Sequence, residues 1–312
     1  MANGLEVGYH APSVEGALDA LGRLGANAVS VMPFAAQASP TSPALRYLNR
    51  SPGSETDAGL VHVVRAARGR GFSVLYKPHL WVHGSWTGEI RMESEADWQR
   101  WFRSYRRYVA HHALLAEWAG ADRFSVGVEL SRTLERAEEW RRVIAAARQL
   151  FSGGMTYSAN WYGDPEAVTF WDRLDFIGVD AYYPLASHPE ADRSELIQGA
   201  TAAVATLRGL ARRFGKQVIL TEVGFAANKA PWVEPHREAG EYSEEHQALA
   251  YEALFAALGR PSWLGGTFVW KAFSGDRGAR AGRAGRADFR FLGRPAEEVI
   301  RRYYAAGRVL PF

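Results

Sequence analysis

Residues 218–225 read Val-Ile-Leu-Thr-Glu-Val-Gly-Phe. Apolar, β-prone residues follow one another without alternation, the pattern of a strand covered on both faces in a parallel sheet. The run ends directly on a glutamate, Glu222. Upstream, Leu196, Ile197, Ala200, Val204 and Leu207 recur at helical spacing, and downstream Leu249, Ala250, Ala253, Leu254 and Ala257 do the same. Helix, buried strand, helix is the alternation of an α/β fold with a parallel sheet.

The same alternation extends in both directions. Strands are expected at Leu5–Tyr9, Ala28–Pro33, Phe72–Lys77, Phe124–Glu129, Met155–Ala159, Phe176–Tyr182, Val218–Glu222 and Thr267–Trp270. Further helical patterns run through Val14, Leu18 and Leu21; through Trp98, Trp101, Phe102, Tyr105, Val109 and His112; through Trp140, Val143, Ile144 and Ala147; and through Val299, Ile300 and Tyr303. Successive strand ends from Tyr9 to Trp270 are about 37 residues apart, which suits one βα unit per step. Eight such units predict a single (β/α)8 TIM barrel over residues 1–312. A doubly wound sheet is disfavoured, because no glycine-rich phosphate motif follows the first strand.

Composition narrows the function. The 312 residues are 47% hydrophobic and 23% charged, with a formal charge of +3, ordinary values for a globular chain. There are no cysteines, which excludes disulfides, zinc–thiolate sites, iron–sulfur clusters and a cysteine nucleophile. No apolar run is long enough to span a membrane, so no membrane partner is expected. The segment from Met1 to Gly4 has no charged region leading into an apolar one, and localisation stays open between the cytoplasm and export with a removed signal. Arginines concentrate between Arg277 and Arg294, but only Phe289 and Phe291 are interleaved with them, so nucleic acid is not an expected partner. The Gly275–Arg286 stretch reads as a solvated loop. The chain is expected to act as a monomer.

In a (β/α)8 barrel the chemistry gathers at the carboxyl ends of the strands. There the sequence places Glu129 after the fourth strand and Glu222 after the seventh, each following an apolar run, where a carboxylate is costly unless it is paired or functional. Two carboxylates across a barrel mouth are what glycoside hydrolysis requires: one protonated, to give its proton to the leaving oxygen, and one ionised, to attack the anomeric carbon. The other strand ends carry Lys77, His79, Trp81, Asn160, Trp161, Tyr182 and Trp270, and aromatic platforms suit the C–H faces of sugars. A metal set drawn from His10, His79, Asp180, Glu129 and Glu222 is the weaker reading, since Pro78 and Gly84 oppose a helix aligning His79 with His83. No metal and no cofactor are expected.

The segments GANAVSVMPFAAQASP (25–40), LYKPHLWVHGSWTGEI (75–90), DWQRWFRSYRRYVAHHALLAE (97–117), FSVGVEL (124–130), MTYSANW (155–161), FWDRLDFIGVDAYYPL (170–185), VILTEVGF (218–225) and GTFVWKAF (266–273) resemble glycoside hydrolase family 113, a family of (β/α)8 retaining β-mannanases. The resemblance implies an endo-acting enzyme on β-1,4-mannan or manno-oligosaccharides. It implies Glu129 as general acid/base and Glu222 as nucleophile, Tyr182 as a hydrogen-bond donor to the nucleophile, and Trp270 as the floor of the −1 sugar. It implies Lys77, His79, Asn160 and Trp161 as sugar contacts. Trp81, Trp86 and Trp232 are read either as further subsites or as loop-packing hydrophobes. Most of the wider clan has Asn just before the acid/base, where this chain has Val128; its work would pass to Asn160 or His79. Exo action, another β-glycan, or a non-catalytic carbohydrate-binding barrel are the alternatives.

Overall fold

The expected alternation is present in the computed structural model, which describes residues 8–10, 12–47, 55–272 and 285–306. The barrel strands are β1 (Ala28–Val31), β4 (Ser73–Tyr76), β6 (Arg123–Val128), β7 (Gly154–Asn160), β8 (Ile177–Asp180), β9 (Val218–Val223) and β10 (Leu264–Val269). They form one sheet in the order β1-β4-β6-β7-β8-β9-β10, and every pairing is parallel. The two end strands, β10 and β1, also lie against each other, so the sheet curls into a nearly closed barrel. The expected first strand, Leu5–Tyr9, lies for the most part outside the described residues, as does most of the Gly275–Arg286 loop.

Helices α1 (Pro12–Arg23), α2 (Asp57–Gly69), α3 (Glu95–Ala119), α4 (Ala137–Arg148), α6 (Arg193–Phe214), α7 (Glu244–Leu258) and α8 (Pro295–Ala305) surround the strands, and α5 (Asp164–Ala167) is a single turn. Each apolar stripe read from the sequence faces the core, with Ile197, Val204, Leu249, Ala257 and Tyr303 half-buried at its margins. On α3 that face is unusually aromatic: Trp98, Trp101, Phe102, Tyr105 and Tyr108 are all buried, and Trp101 stacks on Tyr105 with centroids 4.8 Å apart. The ends follow ordinary capping chemistry. Ser94 accepts from Asp97 N–H, Gly120 closes α3 in the left-handed region, and Asp192 with Glu195 forms a capping box on α6.

Two elements were not legible in the sequence. Helix α2 buries Val61, Val63 and Val64, β-branched residues with low helix propensity; tertiary packing overrides that preference. The second is a small sheet, β3-β2-β5, formed by β2 (Phe34–Gln37), β3 (Leu45–Tyr47) and β5 (His79–Val82). Here β1 and β4 continue past Pro33 and Pro78. Proline has no N–H for the ladder, so each strand breaks and resumes beyond it. The pairing carries over the breaks, with Lys77 N–H bonded to Val31 O at 2.8 Å and His79 N–H to Pro33 O at 2.8 Å. The Tyr108 hydroxyl reinforces the junction by donating to Pro33 O and His79 O. This extension places His79 and Trp81 on the second sheet, paired with Phe34 and Ala36.

Two glycines on α6 give a paired prediction. A Cβ at Gly199 would overlap the Leu185 carbonyl, lying 2.6 Å from its carbon, whereas a Cβ at Gly209 would meet nothing within 4 Å. Gly209→Ala is therefore expected to stabilise by up to about 1 kcal/mol through helix propensity. Gly199→Ala is expected to destabilise by about 1–3 kcal/mol through overpacking. Chemical denaturation of the two variants checks the opposite signs.

Candidate active site

Glu222 stands near the carboxyl end of β9, and the register pairs it with Asp180, the last residue of β8. Asp180 in turn pairs with Asn160 at the end of β7. Lys77 follows β4 directly. Its ammonium has no solvent exposure and reaches Asp180 Oδ1 at 2.8 Å, Asp180 Oδ2 at 3.0 Å and Glu222 Oε1 at 2.6 Å. Asp180 Oδ1 also accepts from the Thr221 hydroxyl at 2.7 Å. The other Glu222 oxygen, Oε2, accepts from the Tyr182 hydroxyl at 2.7 Å. The two oxygens of Glu222 thus each hold a donor, one of them charged.

The surrounding groups stay in the matching protonation states. Burial acts to lower the Lys77 pKa, but Asp180 and Glu222 outweigh it and the net movement is upward, so the ammonium persists. Burial, reinforced by the charges of Glu222 and Asp180, pushes the Tyr182 phenol well above its usual value, so it remains a donor. Asp180 is raised by burial and by Glu222, against the opposing pull of Lys77 and Thr221.

Glu129 is built differently. It follows β6 with a φ of 51°, the left-handed region, which costs a non-glycine residue on the order of 1–3 kcal/mol. The surroundings hold it there: Glu129 N–H bonds to Ser158 O at 2.8 Å, and the next amide, Leu130 N–H, bonds to the Tyr157 hydroxyl at 2.6 Å. Among the described residues, the Glu129 carboxyl forms no ion pair with a cation. It accepts from the Trp86 indole N–H, 2.8 Å from Oε2. Desolvation, then the charges of Asp180 and Glu222, raise its pKa well above the glutamate value, opposed by Trp86 and Lys77. Ionising Glu129 would place a further negative charge beside Asp180 and Glu222 in a desolvated space.

The other expected residues fall into two groups. Tyr182, Trp161 and Trp270 come together around Phe289 and Ala226, beside Glu222, and the Lys271 ammonium lies 4.8 Å from the Trp270 ring centroid. Asn160 is tethered through its backbone N–H to Asp164. His79 stacks on Phe34 and its Nδ1–H donates to Leu80 O at 2.7 Å; burial lowers its pKa to about 4, so the ring is neutral with Nε2 as the remaining acceptor. Trp81 stands on the open face of the small sheet, 56% exposed, outside the charge cluster. Trp232 is not a platform: it is 1% exposed and its N–H donates to His188 O, so the loop-packing reading holds for it. Lys77, expected from the resemblance to contact sugar, directs its ammonium at Asp180 and Glu222 instead. In the sequence Asp180 has only a weak metal role; the one signal for its place was an acid at a strand end, and its register with Glu222 appears only in the structure.

Several solved structures are similar to this chain over nearly its full length. A GH113 β-mannanase from Alicyclobacillus acidocaldarius, in complex with ManMIm, is 27% identical, with a TM-score of 0.86, covering 98% of this chain and 96% of that one. A GH113 β-1,4-mannanase complex is 23% identical, with a TM-score of 0.85, covering 98% and 97%. GH5_18 from Streptomyces cattleya, in complex with GlcNAc, shares the fold at 17% identity and a TM-score of 0.64, covering 96% and 76%. None of the curated proteins it was compared with matches. The model of Glycoside Hydrolase Family 113 matches residues 3–294, and the chain belongs to that family.

Proposed function

We propose that this glycoside hydrolase is a retaining, endo-acting β-1,4-mannan hydrolase in which Glu222 is the nucleophile and Glu129 the general acid/base. The observation that carries the mechanism is the opposed setting of the two carboxyls: Glu222 between Lys77 and Tyr182, and Glu129 held by an indole N–H, without an ion pair among the described residues, and raised in pKa. The likeness to GH113 β-mannanases supports mannan as the substrate.

In the first step a Glu222 oxygen bonds the anomeric carbon while Glu129 gives its proton to the departing oxygen. In the second, Glu129 takes a proton from water, whose oxygen displaces Glu222 with retained configuration. Once Glu222 is esterified its charge is gone. Glu129 then loses a repelling neighbour and becomes easier to ionise, the change a base in the second step needs. Tyr182 and Lys77 hold and orient the nucleophile. Trp161 and Trp270 would front the apolar face of the reacting sugar, and Asn160 and His79 its hydroxyls, with Trp81 further out on the small sheet.

Hydrolysis of manno-, cello- and xylo-hexaose by wild type, Glu129→Gln and Glu222→Gln tests this reading. Cleavage confined to mannohexaose, with internal products first, is expected. Glu129→Gln should cost about 10²–10⁴-fold and Glu222→Gln about 10⁴-fold or more. Activity surviving both substitutions would refute the mechanism, and cleavage of another hexaose alone would refute the substrate.

The pH profile carries a signed prediction. Step one needs protonated Glu129, so activity falls as pH rises through its raised pKa. Asp180 is one of the charges that raises it. Asp180→Asn removes that charge, lowers the Glu129 pKa and is expected to move the basic limb of kcat/KM to lower pH. A limb that stays in place or moves upward contradicts the assignment.

A further inference from the structure

We infer that Trp86 is a positioning residue for the acid/base carboxyl: its indole N–H holds Oε2 of Glu129 as an acceptor and leaves Oε1 as the oxygen that carries and delivers the proton. This rests on the assignment of Glu129 proposed above.

An indole N–H donates and cannot accept. A protonated carboxyl has one hydroxyl oxygen and one carbonyl oxygen, and the carbonyl oxygen is the better acceptor. The Trp86 N–H sits 2.8 Å from Oε2, so the stable arrangement keeps the proton on Oε1. In step one that proton passes to the glycosidic oxygen as the C–O bond breaks and the Glu222 bond to carbon forms. In step two Oε1 takes the proton from the attacking water as the Glu222 bond breaks. The same N–H steadies the carboxylate that exists between the two steps.

The segment that carries the donor is built to hold it. The Trp86 ring lies flat over Gly88, where a Cβ would collide with the ring carbons Cη2, Cζ3 and Cζ2. Thr87 and Ile90 on either side are buried, which anchors the turn. Beyond it, Glu89 Oε2 meets Arg132 Nε at 2.8 Å. Arg132 lies three residues past Glu129, so an ion pair clips the segment bearing the donor to the segment bearing the acceptor. Trp86 itself is 41% exposed, and its substitution removes little core packing. The three atoms a Cβ at 88 would meet first all belong to this ring.

The test separates a proton-transfer role from a structural one by the leaving group. Mannohexaose has a poor leaving group that needs the proton; 2,4-dinitrophenyl β-mannoside has one that does not. Trp86→Phe keeps a ring and loses the N–H. It is expected to lower kcat/KM on mannohexaose by about tenfold or more, part of the ~10²–10⁴-fold a general acid supplies, and to leave the aryl mannoside within about threefold, since no proton is required there. Gly88→Ala, which displaces the indole and keeps Trp86, should give the same split. Equal losses on the two substrates, or no loss on either, would overturn the inference. Glu129→Gln serves as the reference. If it shows the split and Trp86→Phe does not, the role of Trp86 fails alone; if Glu129→Gln shows no split, the acid/base assignment fails and this inference with it.

Discussion

The ammonium of Lys77, wholly out of solvent and bonded to both oxygens of Asp180 and one of Glu222, is the interaction around which the site is organised. Two carboxylates pressed together at the ends of neighbouring strands would repel, and one would take up a proton. The shared cation lets them lie in register. Removing one partner from such a buried pair costs about 3–5 kcal/mol, so the cluster is also a point of structural rigidity. Burial raises the pKa of Glu129, and the charges of Asp180 and Glu222 add to that effect. The buried lysine thus treats the two glutamates differently: it is bonded directly to Glu222 and exerts only a weak opposing pull on Glu129.

The barrel makes that asymmetry reproducible. Lys77, Asp180 and Glu222 come from three separate strands, so their positions are held by parallel pairing rather than by loops. Glu129 needs a sharper device. Its left-handed backbone turns the carboxyl out of the β6 direction, and the bonds from Glu129 N–H to Ser158 and from Leu130 N–H to Tyr157 keep it there. Tyr157 is itself packed against Trp140 and Phe170. The acid/base candidate is therefore positioned from the core outward, whereas the Trp86 segment reaches it from the rim.

The barrel was legible in the sequence because its signals are local and repeated. Continuous apolar runs such as Val218–Leu220 alternate with helical stripes, and the two glutamates stand where those runs stop. What was not legible depends on register and on breaks in it. Nothing in residue spacing said that Asp180 would pair with Glu222, and so nothing turned Lys77 from a sugar contact into a counter-ion. The small sheet was hidden for a related reason: Pro33 and Pro78 read as strand ends, while the ladder resumes beyond both. Trp86 and Trp232 read alike in sequence, as tryptophans in loops, and only packing separates the one bonded to Glu129 from the one buried against His246.

Burial, reinforced by the charges of Asp180 and Glu222, raises the pKa of Glu129. The most direct measurement is a ¹³C NMR titration of the glutamate side-chain carboxyls in wild type and in Glu222→Gln, with Glu129 assigned by its loss in Glu129→Gln. The account predicts a Glu129 carboxyl that titrates well above the ordinary glutamate range and moves to lower pH when the Glu222 charge is removed. A Glu129 that titrates with the surface glutamates, or that ignores the loss of Glu222, would contradict it.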